Sequence, residues 1–202
     1  MLIKVCGINN QANATALSSL EVDYMGMIFY EKSARKLTNT NLCTSNLKRV
    51  GVFVNDSVDK VVKQATLHNL DVVQLHGNES PSECLELKST GLQVWKAFPV
   101  VSEQDVAASS AYDGFCDTFL FDAKGTLPGG NGTTFNWKLL DIYIGETPFW
   151  LSGGINETHV DQINKLKSSL PKMLGVDVNS GFEIAPGQKD INKISTFINE
   201  LK

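Results

Sequence analysis

Residues that bind metals or cross-link a chain are scarce in this sequence. Its 202 residues include three histidines and four cysteines, and no two cysteines form a CxxC pair. Zinc sites and disulfide frameworks need such side chains at close and regular spacing. We therefore expect free thiols, which are typical of a reducing compartment, and no metal site.

Long apolar runs and an excess of basic residues are also missing. No apolar run approaches the roughly 20 residues that span a bilayer, and the start Met1–Lys4 lacks the basic and then apolar pattern of a secretory signal. The net charge is −4 and the isoelectric point is near 5.4, which argues against nucleic acid or an anionic membrane as the main partner. We expect a cytoplasmic protein that binds neither.

The sequence contains many short apolar runs. With 42% hydrophobic residues, the chain can bury a substantial core, and we expect residues 1–202 to form one domain. Eight apolar, β-branched or aromatic runs recur at fairly even intervals, and most are continuous, as in strands that are covered on the outside and packed within. The runs are Leu2–Val5, Tyr24–Phe29, Val50–Val54, Val72–Leu75, Leu92–Phe98, Thr118–Phe121, Phe149–Leu151 and Met173–Val178.

Helix signals lie between most of these runs. An apolar stripe begins at Val58, a capping box is present in Ser80–Glu83, and a second stripe runs from Ile191 to Leu201. A weaker signal covers Thr40–Leu47. Strand–helix alternation predicts a parallel sheet with right-handed crossovers, and eight units fit a (β/α)8 barrel. A doubly wound open sheet is the alternative, although it calls for a phosphate loop after the first strand, which Cys6–Asn10 does not resemble.

Two reactive side chains follow predicted strands. Cys6 ends the first strand, and Asp122 ends the sixth. In parallel sheets and barrels the carboxyl ends of the strands carry the chemistry, so a thiol and a carboxylate there suit acid–base catalysis. Glycine-rich segments follow the seventh and eighth runs, at Leu151–Asn156 and Val176–Glu183. Barrel enzymes commonly bind phosphate at these loops, through exposed backbone N–H groups. We therefore expect a phosphorylated substrate.

An ordered set of motifs resembles the phosphoribosylanthranilate isomerase family. The resemblance extends from Leu2 to the final helix, and the ordered set is more specific than any single motif. The motifs are Lys4–Ile8, Gly51–Asn55, Val73–Gly77, Phe121–Asp122 with Gly129–Trp137, Leu151–Ile155 and Gly175–Glu183.

The resemblance implies an Amadori rearrangement of N-(5′-phosphoribosyl)anthranilate, with no cofactor. Asp122 is then the general acid that protonates the furanose ring oxygen, and Cys6 is the general base that removes the C2′ proton. A basic thiolate requires that the ordinary pKa of Cys6, about 8.5, be lowered or matched by its surroundings. Arg35 is implied to bind the anthranilate carboxylate, and His76 and Asp177 to contact the substrate. The expected phosphate ligands are Gly153, Gly154, Asn179, Ser180 and Gly181.

Two further expectations concern Lys4 and the segment Lys124–Thr134. Lys4 shares a strand face with Cys6, and we expect it to be solvated or at the edge of the core. The glycines of Lys124–Thr134 suggest a mobile lid. We leave the assembly open between a monomer and a homodimer.

Several other phosphosugar barrels compete with this interpretation. A metal-dependent epimerase needs histidine and aspartate ligands, but His68 and His159 fall on predicted helices. The histidine-pathway isomerase uses two carboxylates, whereas the first strand here ends in Cys6. Indoleglycerol-phosphate synthase needs a lysine and glutamate pattern that this chain lacks. A non-catalytic phosphosugar-binding barrel is the alternative from a different functional class.

Overall fold

Eight parallel strands close into a barrel in chain order. The computed structural model describes residues 1–38, 42, 44, 46–123 and 134–201. Because β1 pairs with β8 as well as with β2, the open-sheet alternative is excluded and the predicted (β/α)8 barrel is confirmed. The strands are β1 (Leu2–Val5), β2 (Tyr24–Ile28), β3 (Lys48–Phe53), β4 (Val72–Leu75), β5 (Gln93–Val100), β6 (Thr118–Ala123), β7 (Phe149–Leu151) and β8 (Met173–Val178).

The predicted strands differ from the observed ones mainly at their ends. β3 begins at Lys48 because backbone pairing with β2 extends to that residue, which apolar character alone does not reveal. β5 continues to Val100, which pairs with Ala123 of β6. An antiparallel pair, β9 (Glu183–Ala185) and β10 (Gln188–Lys189), follows β8 and was not predicted.

Helices cover the outside of the barrel. The α-helices are α1 (Gln11–Leu17), α2 (Val58–His68), α3 (Pro81–Ser89), α4 (Glu103–Ala108), α5 (Val160–Ser169) and α6 (Ile191–Glu200), and 3₁₀ helices occupy Ser109–Tyr112, Trp137–Ile142, Glu157–His159 and Ser180–Phe182. The predicted capping box is confirmed, since Ser80 N–H donates to Glu83 Oε2 over 2.7 Å and Glu83 N–H donates to Ser80 Oγ. The predicted helix over Thr40–Leu47, the thiol of Cys43 and the lid Lys124–Thr134 fall wholly or largely outside the described residues. None of the helices in the described ranges has the length and apolar character to cross a bilayer.

Three aromatic side chains fill the lower part of the barrel. Tyr24, Trp95 and Trp150 come from β2, β5 and β7, and their ring centroids lie 5.1 to 5.4 Å apart. Because these three strands are not neighbours in the sheet, their rings can meet only across the barrel interior. There they form a packed layer of side chains. Each such aromatic pair contributes roughly 0.5–1.5 kcal/mol beyond the area that it buries.

Candidate active site

The carboxyl ends of the strands surround a pocket of about 670 Å³, including its open mouth. All ten residues that the sequence singled out line this pocket. They are Cys6, Arg35, His76, Asp122, Gly153, Gly154, Asp177, Asn179, Ser180 and Gly181. The barrel therefore brings together residues that are far apart in the chain, and each stands where the predicted strand or loop puts it.

Cys6 forms one side of the pocket at the end of β1. Its backbone N–H donates to Val178 O over 2.8 Å, which fixes the thiol beside β8. Gly26 on β2 leaves room for it, since a Cβ there would lie 2.8 Å from Cys6 Sγ. Burial raises the pKa of Cys6, and Lys4 opposes this shift only in part. The surroundings therefore do not lower the pKa of Cys6, which was one of the two possibilities expected, because desolvation of the thiolate outweighs the nearby cation.

Lys4 lies inside the barrel beneath Cys6, and the prediction of a solvated or core-edge lysine was wrong. Its Nζ donates to Asp177 Oδ2 over 2.7 Å, and the two side chains are 0% and 5% exposed. Burial lowers the pKa of Lys4, but the attraction of Asp177 and Cys6 outweighs it, so the net shift is upward. Burial raises the pKa of Asp177 although Lys4 opposes this. At a contact this short, we take the pair to be ionised.

Asp122 forms the opposite side of the pocket at the end of β6. Its Oδ1 accepts a hydrogen bond from Ala123 N–H at 3.0 Å, and its Oδ2 lies 3.1 Å from His76 Nε2. Gly153 packs against this carboxyl group at φ +89°, where a Cβ would lie 2.8 Å from Asp122 Oδ1 and 2.3 Å from Ala123 N. Only glycine accepts both this backbone conformation and this approach.

Arg35 reaches the pocket from the connection between β2 and β3. Its Nε and Nη2 donate to the Glu183 carboxylate over 2.8 to 3.0 Å, a bidentate arrangement along one edge of the guanidinium. Lys189 is buried beside it and donates to Glu183 Oε1 over 2.8 Å and to Asn179 Oδ1 over 2.7 Å. Two cations thus share one carboxylate, and Arg35 Nη1 has no hydrogen-bond acceptor among the described residues, which leaves that edge for an anion.

The loops after β7 and β8 form the end of the pocket at which phosphate was expected. Gly153 and Gly154 both have positive φ, +89° and +64°. The segment after β8 forms one 3₁₀ turn, Ser180–Phe182. Within the described ranges, the backbone N–H groups of Gly154 and Ser180 donate to no protein acceptor. These amides are available to an anion, as the glycine pattern predicted.

The remaining histidines and cysteines that the structure describes are not grouped around a common point. His68 is at the end of α2 and packs on Phe29 with ring centroids 4.9 Å apart, and His159 accepts a hydrogen bond from Asn156 N–H at the start of a 3₁₀ helix. Among the described residues, no group of three or more histidine, cysteine or acidic side chains is placed to hold a metal ion. Cys6, Cys84 and Cys116 are free and buried.

Comparison with known proteins identifies the family of this barrel. A sequence model described as N-(5′phosphoribosyl)anthranilate (PRA) isomerase matches residues 3–200. The chain belongs to this family. A phosphoribosylanthranilate isomerase of Phocaeicola vulgatus is 41% identical over 203 residues, covering 100% of this chain and 98% of the relative. The family resemblance drawn from the sequence motifs is therefore confirmed.

Solved structures of phosphoribosylanthranilate isomerases have the same fold. The enzyme of Thermotoga maritima superimposes with a TM-score of 0.86 at 32% identity, covering 99% of this chain and 98% of the other. A second structure holds reduced 1-(o-carboxyphenylamino)-1-deoxyribulose 5-phosphate and has a TM-score of 0.82 at 30% identity, covering 99% and 97% of the two chains.

Sequence reasoning missed four residues that support this site: Gln74, Gly26, Glu183 and Lys189. A signal existed for Gln74, since it lies two residues before His76 on a strand and therefore shares its face. Glu183 was quoted as the end of a motif without a role. Gly26 and Lys189 gave no signal, because their neighbours come from distant parts of the chain.

Proposed function

We propose that this protein catalyses the Amadori rearrangement of N-(5′-phosphoribosyl)anthranilate to 1-(2-carboxyphenylamino)-1-deoxyribulose 5-phosphate in tryptophan biosynthesis. The observation that carries the proposal is a single pocket with a thiol on one wall, a carboxyl group on another and free backbone amides at one end. Family membership and the related structure that holds a reduced form of the product support the same reaction. The steps need acid–base groups only, so we propose that no cofactor takes part.

In the first step, Asp122 gives a proton to the furanose ring oxygen. The C1′–O bond breaks, its electron pair goes to the protonated oxygen, and the anthranilate nitrogen lone pair forms a Schiff base at C1′. His76 and Ala123 N–H hold the carboxyl group in place for this transfer. General acid catalysis of this kind contributes typically 10²–10⁴-fold to a rate.

In the second step, Cys6 removes the C2′ proton. The electron pair of the C2′–H bond moves to form an enolamine, and tautomerisation gives the ketone product. Because burial raises the pKa of Cys6, a thiolate at neutral pH depends on nearby positive charge. Lys4 and Lys189 both lower the pKa of this thiol, which makes them electrostatic supports of the base.

Binding of the substrate's two anionic groups is assigned to the two ends of the pocket. Arg35 offers its free edge to the anthranilate carboxylate, since planar bidentate contacts suit a carboxylate. The loops of Gly153, Gly154, Asn179, Ser180 and Gly181 hold the phosphate, chiefly through backbone N–H groups. His76 and Asp177 also line the pocket, and we assign them to contact the ribose portion.

We also propose one domain over residues 1–202, in a cytoplasmic protein. The three described cysteines are free thiols, as in proteins of a reducing compartment. A monomer suffices for the chemistry, because one chain supplies the described pocket residues, and a homodimer is compatible with this arrangement.

The test is the disappearance of phosphoribosylanthranilate fluorescence upon adding pure protein in the presence of a chelator. We expect turnover by the wild type, and losses of at least about 100-fold in kcat for Cys6→Ser and for Asp122→Asn. Cys116→Ser and Asp161→Asn are the matched controls, since Cys116 is buried outside the pocket and Asp161 is exposed on α5.

Each outcome has a definite meaning. Binding of substrate without conversion by the wild type would contradict the proposal and favour a non-catalytic phosphosugar-binding barrel. Turnover that survives both substitutions would keep the reaction but overturn the assigned acid and base.

A further inference from the structure

A buried amide is connected to the proposed general acid through a histidine. Gln74 lies on β4 inside the barrel and is 1% exposed. Its Nε2 is 2.9 Å from His76 Nδ1, and His76 Nε2 is 3.1 Å from Asp122 Oδ2. The three side chains therefore form a linear hydrogen-bonded chain that runs from the barrel interior to the carboxyl group at the pocket wall.

The chain as it stands accounts for the ionised carboxyl group. Gln74 Nε2 has only protons to offer, so His76 Nδ1 accepts, and a neutral ring then carries its proton on Nε2. That proton is donated to Asp122 Oδ2, which acts as the acceptor, as a carboxylate oxygen does. The arrangement describes Asp122 after it has given up a proton.

The other oxygen of this amide is the second observation. Gln74 Oε1 is buried and has no hydrogen-bond partner among the described residues. Buried acceptors without a partner are uncommon and costly, roughly 1–3 kcal/mol. Half a turn of the terminal amide brings Oε1 to His76 Nδ1, where it accepts a hydrogen bond from Nδ1–H. In that state the ring carries a proton on Nδ1, and one more proton lies between His76 Nε2 and Asp122 Oδ2.

We propose that Gln74 is a positioning residue for the general acid, and that its amide, acting through His76, adapts to either proton count of the His76–Asp122 pair. With Oε1 toward the ring, the pair holds the extra proton needed before the reaction. When that proton leaves for the substrate ring oxygen, the ring keeps its proton on Nδ1 and its hydrogen bond to Oε1. Once this ring proton has exchanged from Nδ1 to Nε2 through solvent in the open pocket, the amide turns and donates Nε2–H to Nδ1. An amide is suited to this role because it is both donor and acceptor in one planar group. This inference rests on the proposed function of Asp122.

Charged neighbours of the pair must be counted before its response to pH is predicted. Asp177 on β8 interacts electrostatically with both Asp122 and His76, and it is itself paired with Lys4. These charged groups are the same in all variants of Gln74. A difference in pH dependence between the variants is therefore caused by the change at the amide. The other ionisable side chains that line the pocket are Cys6, Tyr30 and Arg35.

Two substitutions at Gln74 are expected to act in opposite directions. Gln74→Glu provides a permanent acceptor and a negative charge, which stabilise the state with the extra proton. Gln74→Leu removes the acceptor. The protonated His76–Asp122 pair then loses more stabilisation than the deprotonated pair, because hydrogen bonds to charged groups are stronger. The pH at which kcat falls on the alkaline side of the profile should rise in Gln74→Glu and decrease in Gln74→Leu. We expect each change to be about one pH unit. Gln93→Glu is the control, since Gln93 is exposed at the start of β5.

A second readout does not depend on turnover. The chain has three histidines, so ¹⁵N-labelled histidine gives few signals, and a His76→Gln variant identifies the one from His76. We expect the midpoint of its ¹⁵N shift titration to move up in Gln74→Glu and down in Gln74→Leu, while His68 and His159 are unchanged and report an intact fold. Midpoints that do not move, or that move in the same direction, would overturn the proposal. Because this measurement needs no substrate, it remains decisive if the protein does not catalyse the proposed reaction.

Discussion

Removing the lysine beneath the proposed base should cost much of the protein's stability. Lys4 and Asp177 are almost wholly buried, and their charged atoms are 2.7 Å apart. With an effective dielectric constant of about 20, attraction at this distance is about 6 kcal/mol. Desolvation of the two ions costs several kcal/mol each and offsets most of this gain. The net contribution of the pair is therefore small, although the loss of one partner is severe.

The perturbation is Lys4→Met, which keeps the length of the side chain but removes its charge. A carboxylate left buried without its partner costs about 3–5 kcal/mol, which for a chain of 202 residues corresponds to a fall in Tm of about 6–20 °C. Asp177→Asn should cost a similar amount, because the lysine is then unpaired. The double variant should be much closer to the wild type than the sum of the two losses, since neither charge remains.

The assay is urea unfolding, followed by the fluorescence of the three buried tryptophans, for the wild type, both single variants and the double variant. Lys36→Met is the control, because it breaks an exposed ion pair with Glu31 and should change stability little. Losses that add up in the double variant, or a Lys4→Met loss below about 1 kcal/mol, would refute a buried, ionised pair.

The Lys4→Met loss should also depend on pH. Burial raises the pKa of Asp177 in the folded protein, and Lys4, which opposes that shift, is absent in the variant. A carboxyl group whose pKa is higher in the folded than in the unfolded state disfavours folding as pH rises. The loss should therefore be smallest below the unfolded value near 3.8 and should grow as pH rises through the folded value. A loss that is constant with pH would show that charge is not its cause.

Two further predictions concern substrate binding and packing at the thiol. Arg35→Met should raise KM by about 10- to 150-fold with a smaller change in kcat, because a charge-assisted hydrogen bond to the substrate is lost. Lys32→Met, on the same loop, is the control and should leave KM unchanged. Steady-state rates in which Arg35→Met lowers kcat but leaves KM unchanged would contradict the assigned role. Gly26→Ala should lower kcat and destabilise the fold by roughly 1–3 kcal/mol, since the added methyl group would lie 2.8 Å from Cys6 Sγ. Thermal unfolding measures the loss of stability, and rates at saturating substrate measure kcat. An unchanged kcat would show that the thiol moves freely.

The strands and the catalytic loops were predictable because each depends on residues that are near one another in the chain. Strands of a parallel barrel are buried on both faces, so they appear as continuous apolar runs, and the bounds of β1, β4, β7 and β8 were predicted without error. The residue after such a run lies at the rim where barrel sites form. This rule singled out Cys6 and Asp122, and both side chains line the pocket.

The partners of these residues were not predictable in the same way. Lys4 looked like a surface lysine because lysine is rarely buried without a partner. Its partner is 173 residues away and becomes visible only when β1 closes against β8 in the register Lys4↔Asp177. The direction of the pKa shift of Cys6 was not predictable for a related reason, since desolvation depends on everything that surrounds the thiol and not on its neighbours in sequence.

Barrel closure also explains how an acid and a base remain distinct within one pocket. The base belongs to β1 and is supported from below by Lys4, whose charge is balanced by Asp177 of the adjoining β8. The proposed acid belongs to β6 and is contacted by His76, which follows β4 and is hydrogen-bonded in turn to Gln74 of that strand. A cation beside the thiol favours its charged form, whereas a proton-accepting chain beside the carboxyl group allows it to gain or lose a proton. Two separate buried partner sets are thus suited to the proposed roles of Cys6 as a base and Asp122 as an acid at the same pH.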